Sequence, residues 1–566
     1  MMKRHFTLAF NFLAIFFISQ NIAFSQDIMD LPPVNADGES VWVDIIAGDT
    51  TDTGERNNPN RIYRLERGGI YVLTSTLIAN YPISIIAGGD DSERPPMIVR
   101  GKFADGVNII PMMQLTGDGN RHVFRDIMFN GVDLNREYDA EWIRGMEFLA
   151  DDMSVTFERC VFNAFTGGAI RIEGRDASLY VRDCKWRNGV WPTHMFVGQQ
   201  VTLPELPVDT LIMTNNTYFN NNSFWIFQEK DLIEFAVIEH NTIFTSLIDM
   251  MRLRYSSNAR IRSNLFYGTH AYGDSEEFQD ITAYEPDGSP YSIISIYEVP
   301  SNILEAAGLT PFDRTIVLTH NAYFTPQPIV DYWNGNAEVT GVTWMNDRTQ
   351  NLFNSSPLFF ANNNVEKDPG FVDVAMDEWI TGKVADFCIT YRATLTPGMP
   401  LSGDAGDNRN YDEHQGVDIL AGIQWPLPED LAYSDAELLV GGHDGLPVGD
   451  LNWFPDKRAQ YVEPTTIISG LSEALPNETA GYNLKQNYPN PFNENTVIAF
   501  TIPEKGLTTL TVYNMLGETV EVLVNDELQK GTYKYDFAAE NMITGTYFYK
   551  LQSGDFVAVR KMNVSE

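Results

Sequence analysis

The sequence predicts an all-β protein, a long parallel β-solenoid followed by a small C-terminal β-sandwich. Three observations carry that prediction. A short phrase ending in an aromatic residue recurs through the middle of the chain. Strings of β-branched residues surround it. Residues 483–566 then change to short segments of alternating polar and apolar side chains.

The phrase reads Arg125-Asp-Ile-Met-Phe129, Arg159-Cys-Val-Phe162, Asp183-Cys-Lys-Trp186, Asn216-Thr-Tyr-Phe219, Asn241-Thr-Ile-Phe244, Ser263-Asn-Leu-Phe266 and Asn321-Ala-Tyr-Phe324. Aligned on the aromatic, the gaps are 33, 24, 33, 25, 22 and 58 residues, a solenoid period. The last gap fits two coils, or one coil with an insertion at about 271–311. Val155-Thr-Phe, Ala169-Ile-Arg-Ile, Leu211-Ile-Met, Phe235-Ala-Val-Ile and Ile316-Val-Leu supply the strands, with Gly, Asn and Asp between them and no sustained helical period. Stacked at about 4.8 Å per coil, the aromatics would line the interior. Asn216, Asn241 and Asn321 would sit at a turn and bond from coil to coil.

These repeats, over roughly 60–460, resemble the right-handed parallel β-helix of pectate-lyase-like proteins. The resemblance implies architecture; chemistry has to be argued from the site. Tyr63-Arg-Leu-Glu-Arg-Gly-Gly-Ile-Tyr-Val-Leu73 resembles the opening coil, and Asp368-Pro-Gly-Phe371 with Asp418-Ile419 the closing segment. Gly449-Asp-Leu-Asn-Trp-Phe-Pro455 ends the body, read as 26–462 with its capping segments.

The ends carry addresses. Lys3 and Arg4, the apolar run Leu8–Ile18 and Ala23-Phe24-Ser25 make residues 1–25 a secretory signal peptide; the run is too short to span a bilayer. No other stretch is apolar enough for a transmembrane segment. Residues 463–482 read as a polar linker and 483–566 as a β-sandwich of about seven strands. Tyr488-Pro-Asn-Pro-Phe-Asn493, Val512-Tyr-Asn-Met-Leu-Gly517, Gly531-Thr-Tyr, Gly545-Thr-Tyr-Phe-Tyr and a last strand containing Lys561 resemble the type A sorting domain of the type IX secretion system. That resemblance implies export over both membranes, with the secretion machinery as partner and a secreted or cell-surface destination.

Composition excludes several classes. Against 76 Asp and Glu there are 39 Lys and Arg, a net charge of −37, which becomes −39 once the leader removes Lys3 and Arg4. Nucleic-acid binding and docking on anionic lipid need the opposite sign. Three cysteines, Cys160, Cys184 and Cys388, exclude a disulfide scaffold and a Cys-rich zinc site. Cys160 and Cys184 are expected to stack in neighbouring coils, either packed as thiols or bridged.

The ligand expected on a solenoid face is an extended polysaccharide. If the aromatics point inward, the residues just before them point out, which selects Lys185 and Tyr218. Ala169-Ile-Arg-Ile-Glu173 puts Arg171 and Glu173 on one face, and His194, Arg252 and Arg254 fall at comparable offsets. Two readings stand. One is a surface protein that binds a glycan without catalysis, because no complete catalytic motif is found. The other is a uronate lyase working by β-elimination. There Lys185, Arg171 and Arg252 would neutralise the carboxylate and take the proton, with Tyr218, His194, Arg254 and Glu173 holding the substrate. Lyases of this fold imply calcium as cofactor. The acidic loop Asp404–Asp418 lacks the EF-hand register and reads as a calcium loop or as a solvated closing loop.

Overall fold

The computed structural model describes residues 27–565 apart from 54, 104–105, 132–143, 190–197, 204–205, 229, 249–250, 275–288, 311–313, 357, 395–424, 465–481 and short interruptions in the tail. The signal peptide, most of the linker, His194 and the loop Asp404–Asp418 therefore lie outside the described residues.

Each coil contributes three short strands, one to each of three all-parallel sheets. Ser154–Glu158 belongs to sheet A, Val161–Asn163 to sheet B and Gly168–Ile172 to sheet C. Among the described residues sheet A has 11 strands, sheet B ten and sheet C nine, each strand pairing with its counterpart one coil away. The chain is a parallel β-solenoid. Its interior is one apolar column running from Leu31 to Phe359. The 58-residue gap is a single coil with an insertion, since Leu265–Tyr267 pairs directly with Ala322–Phe324.

The corner between sheets A and B fixes the register. Asp126, Arg159, Asp183, Asn215, His240, Ser263, His320 and Asn363 all have left-handed backbone there, with φ between 52° and 58°. The next residue points into the turn and forms a ladder. Asn216 donates to Asn241, Asn241 to Asn264, Asn264 to Asn321 and Asn321 to Asn364, each at 2.9 Å. Each amide also donates to a backbone carbonyl, as Asn241 does to Met213. In these buried turns, where a lone amide would be costly, every rung is satisfied. The left-handed residue is thus the one before the ladder asparagine, and His240 and His320 are turn residues. Cys160 and Cys184 occupy the two rungs before Asn216 as free thiols; the Cys160 N–H donates to Cys184 Sγ at 3.3 Å.

The aromatic alignment holds only in part. Sheet B pairs Phe129 with Phe162, Phe162 with Trp186, Trp186 with Tyr218, Tyr218 with Ile243 and Ile243 with Phe266. These residues fill the interior. Phe219, Phe244 and Phe324 lie one residue later and face outward, in a column where Phe219 stacks on Phe244, Phe244 on Tyr267 and Tyr267 on Phe324 at 5.2–5.9 Å. They make a second apolar layer with Phe371 and the helix Val374–Thr394. That helix was not expected from the sequence. Met376, Ile380, Val384, Phe387, Cys388 and Tyr391 are its buried stripe, at helical spacing.

A helix at Trp42–Gly48 buries Trp42, Val43 and Ile46 at the amino-terminal side of the column. After the body come two antiparallel sheets. Asn483–Leu484, Asn495–Ile502 and Gly531–Ala538 form one; Gly506–Tyr513, Thr519–Leu528, Gly545–Ser553 and Phe556–Val564 form the other. They share a core around Phe492, Phe500, Val512 and Tyr549. Among the described residues no helix is long and apolar enough to cross a membrane.

Candidate functional site

Parallel stacking turns one outward position per coil into a row along the axis. On sheet C that row is Ile78, Gln114, Glu147, Arg171, Thr202, Phe227, Arg252 and Ser295, each in register with the next. Arg171 and Arg252 therefore share one row, three coils apart, about 14 Å at the usual strand spacing. Gln114 donates to Glu147 at 3.0 Å, and Arg144 pairs with Glu147 at 3.0 Å. Arg171, partly exposed, pairs with Glu173 two residues on. Arg252 is 1% exposed, its guanidinium 4.9 Å from the Phe224 ring centre and 5.7 Å from that of Phe227. Arg254, two residues further, lies over Tyr297 at 5.3 Å, and Arg348 covers the same ring at 3.8 Å. A shallow hollow of ≈ 600 Å³ opens beside Tyr297, Glu298, Arg348 and Asn351.

Sheet B faces a strap made by the chain's own residues 425–463. Leu427 packs on Met97, Val99, Met128 and Val161. Glu429 and Arg187, neither side chain exposed, form a two-pronged pair at 2.6 and 3.0 Å. Thr217 donates to Asp450 at 2.6 Å, Trp453 donates to Thr217 at 2.9 Å, and Arg458 grips Asp183 with two bonds at 2.7 and 2.8 Å. Gly449 crosses at φ +94°, where a Cβ would come within 2.6 Å of Thr242 Oγ1. Burial pushes the Asp450 carboxyl up to about 7.

The expected residues divide between these faces. Arg171, Glu173, Arg252 and Arg254 belong to sheet C and its edge. Lys185 points outward from sheet B, but its ammonium sits 4.0 Å from the Trp453 ring centre beneath the strap. Burial there lowers its pKa, against the pull of Glu429 and Asp450. Tyr218, expected outside, is 1% exposed inside the column; its hydroxyl donates to the Ser223 carbonyl. From Phe129 to Tyr323 the inward residue lies two after the ladder position, and Tyr218 is two after Asn216. Counting from the ladder rather than from the aromatic would have placed it. Lys185 and Arg171 thus stand on different sheets. The strap's holding residues, Glu429, Asp450 and Arg458, were missed because their partners lie more than 200 residues away in sequence.

In the tail, the motif around Asn487–Asn493 is tied to the last two strands. The Asn487 N–H donates to the Tyr549 hydroxyl at 2.7 Å, and Tyr549 donates to the Lys485 carbonyl at 2.8 Å. Asn490 Oδ1 accepts the Asn563 N–H at 2.8 Å, and the Phe492 N–H bonds the Asn563 carbonyl at 3.0 Å. Asn487, Asn490 and Phe492 therefore lock the entering segment onto the last two strands, the second of which carries Lys561.

Residues 486–565 match the family model described as the secretion system C-terminal sorting domain. No curated protein matches the chain.

Proposed function

We propose that the body of this exported protein binds an extended polysaccharide along the outer face of sheet C. The starting point is its tail, a type IX secretion sorting domain, which makes the chain a secreted or cell-surface protein exported across the outer membrane. To that tail is joined a β-solenoid.

The observation that carries the proposal is the row Gln114, Glu147, Arg171 and Thr202. A polymer lying along the axis meets Gln114, Arg171 and Thr202 on coils about 4.8 Å apart, with Glu147 buried between the first two and held by Gln114 and Arg144. The other two faces suit this less well. Sheet B is overlaid by the strap. On sheet A several outward charges are already matched to one another, Asp30 with Arg64, Glu158 with Arg125 and Glu239 with Arg262. Arg171 is paired too, but a half-exposed pair such as Arg171–Glu173 is worth only about 0–1 kcal/mol. A ligand oxygen can therefore replace Glu173 at little cost. The separation of Lys185 from Arg171 favours binding over β-elimination, which needs the base and the carboxylate-neutralising group on one face.

The test is calorimetry of the mature chain against alginate, pectate, chondroitin and neutral β-glucans, with absorbance followed for unsaturated product. Binding without new absorbance, weakened by Arg171→Ala and unchanged by Lys185→Ala, is the expected result. Unsaturated product abolished by Lys185→Ala would replace the proposal with the lyase reading. Silence across the panel would remove both.

A further inference from the structure

The column of left-handed corner residues brings chemistry-bearing side chains to one edge of the solenoid, and the strap meets it there. His240 of the corner faces His443 and Asp444 of the strap, and one ligating atom from each lies within 4.8 Å of the others. We infer that His240, His443 and Asp444 form a site for one divalent first-row transition ion, of the zinc class, that clips the strap to the solenoid.

The hydrogen bonding of His240 is the first argument. The ring is fully buried, with Nδ1 3.0 Å from the Pro447 carbonyl and Nε2 3.1 Å from Asp444 Oδ2. Both neighbours are acceptors, and a neutral imidazole has one N–H to give. A cation must stand between Nε2 and the carboxylate, either a second proton or a metal. The Pro447 carbonyl takes the Nδ1 proton, which leaves Nε2 as the ligand. This is how metal-binding histidines are usually oriented.

The second argument is distance. Zinc bonds nitrogen and carboxylate oxygen at about 2.0–2.2 Å, so two ligand atoms on one tetrahedral ion stand about 3.3 Å apart. The Nε2–Oδ2 separation of 3.1 Å is close to that value. His443 stands beside them, its ring 5.5 Å from that of His240. Ser263 Oγ, 2.8 Å from His443 Nδ1, can accept that ring proton together with the His443 backbone N–H, which leaves Nε2 of His443 unprotonated.

The third is the charge of the surroundings. Glu239 Oε2 lies 3.9 Å from His443 Nε2, while Arg262 holds the other oxygen of that carboxylate at 2.5 Å. Asp444 and Glu239 set two carboxylates against the one guanidinium of Arg262, a net negative charge beside a dication, and Tyr461 closes one side with its ring 5.1 Å from that of His240. Two imidazoles and a carboxylate are borderline ligands that suit zinc over calcium, which takes oxygen donors.

The experiment uses the mature chain stripped with chelator, then titrated with zinc chloride and separately with calcium chloride. Metal content, calorimetry and limited proteolysis of the strap are the readouts. The expected result is one zinc per chain, a strap that resists cleavage when zinc is present, and no response to calcium. His443→Ala and Asp444→Asn should each weaken zinc by more than the roughly 10–100-fold that losing an outer-shell partner costs. Asp444→Asn keeps size and hydrogen-bonding capacity, so it serves if His443→Ala loses the fold. Failure of the stripped chain to take up zinc, with His240 doubly protonated by nuclear magnetic resonance, would establish a proton clasp and overturn the inference. Zinc uptake unchanged in both variants, or calcium in place of zinc, would overturn it equally.

Discussion

Sheets B and C are built from the same coils at the same spacing, yet their outer faces are opposites. Sheet B carries a stack of Phe219, Phe244, Tyr267 and Phe324, then Arg187 and Lys185, and all of it is roofed by the helix and strap beyond the last coil. Sheet C carries a polar row, of which Gln114, Arg171 and Thr202 keep partial exposure. The repeat therefore decides the interior and leaves the exterior open. The helix Val374–Thr394 and the strap then decide which exterior face becomes core and which stays available to a ligand.

The sharpest way to break this comparison is at Glu429. Its loss strands Arg187 in a buried site, so Glu429→Ala should destabilise the body by about 3–5 kcal/mol in urea melts. A shift below 1 kcal/mol would mean that the strap does not seal sheet B. Asn241→Ala comes next. It removes one rung and leaves buried groups of Asn216 unpaired, for a loss of about 2–4 kcal/mol in the same assay.

The third prediction is pH dependence. His122 lies inside the column with no hydrogen-bond partner among the described residues for either ring nitrogen, and burial holds its pKa down at about 4. The unfolded chain binds this proton from about pH 6.5 downward and the folded chain only near 4. Stability is therefore full above the unfolded value and is lost as pH falls, about 2 kcal/mol by pH 5. His443, also held low by burial, acts in the same direction. Asp450, raised to about 7, acts in the opposite one, losing stability as pH climbs from its unfolded range. Comparing wild type with His122→Leu isolates the first group, and the variant should show the flatter acid limb in thermal melts. The smallest effect belongs to sheet C. Arg171→Ala should change stability by less than about 1 kcal/mol while weakening glycan binding, since its ion pair is half exposed.

The solenoid was legible because parallel stacking repeats one local pattern, and the pattern survives in Cys160, Cys184, Asn216, Asn241 and Asn321. Register was misjudged by one residue at Phe219, Phe244 and Phe324. An aromatic is equally suited to either side of a strand buried on both faces, so hydrophobicity alone cannot choose between them. The ladder residue can, because its amide must reach its neighbours. Asn264, two rather than three residues before Phe266, already marked the slip. The roof over sheet B was not legible: Arg187–Glu429 and Thr217–Asp450 join positions more than 200 apart, and no local pattern announces such a pair. The helix Val374–Thr394 could have been found through the spacing of Met376, Ile380 and Val384. The tail was legible because Tyr488 to Asn493 and the later segments form one continuous local pattern, and residues 486–565 match the sorting-domain model.

The most direct measurement is hydrogen exchange of the mature chain with and without the best-binding oligosaccharide. The account predicts new protection confined to the sheet C strands Arg144–Phe148, Gly168–Ile172 and Val201–Leu203, with the strap at 425–463 unchanged. Protection on sheet A, or on the strap and sheet B instead, would contradict it.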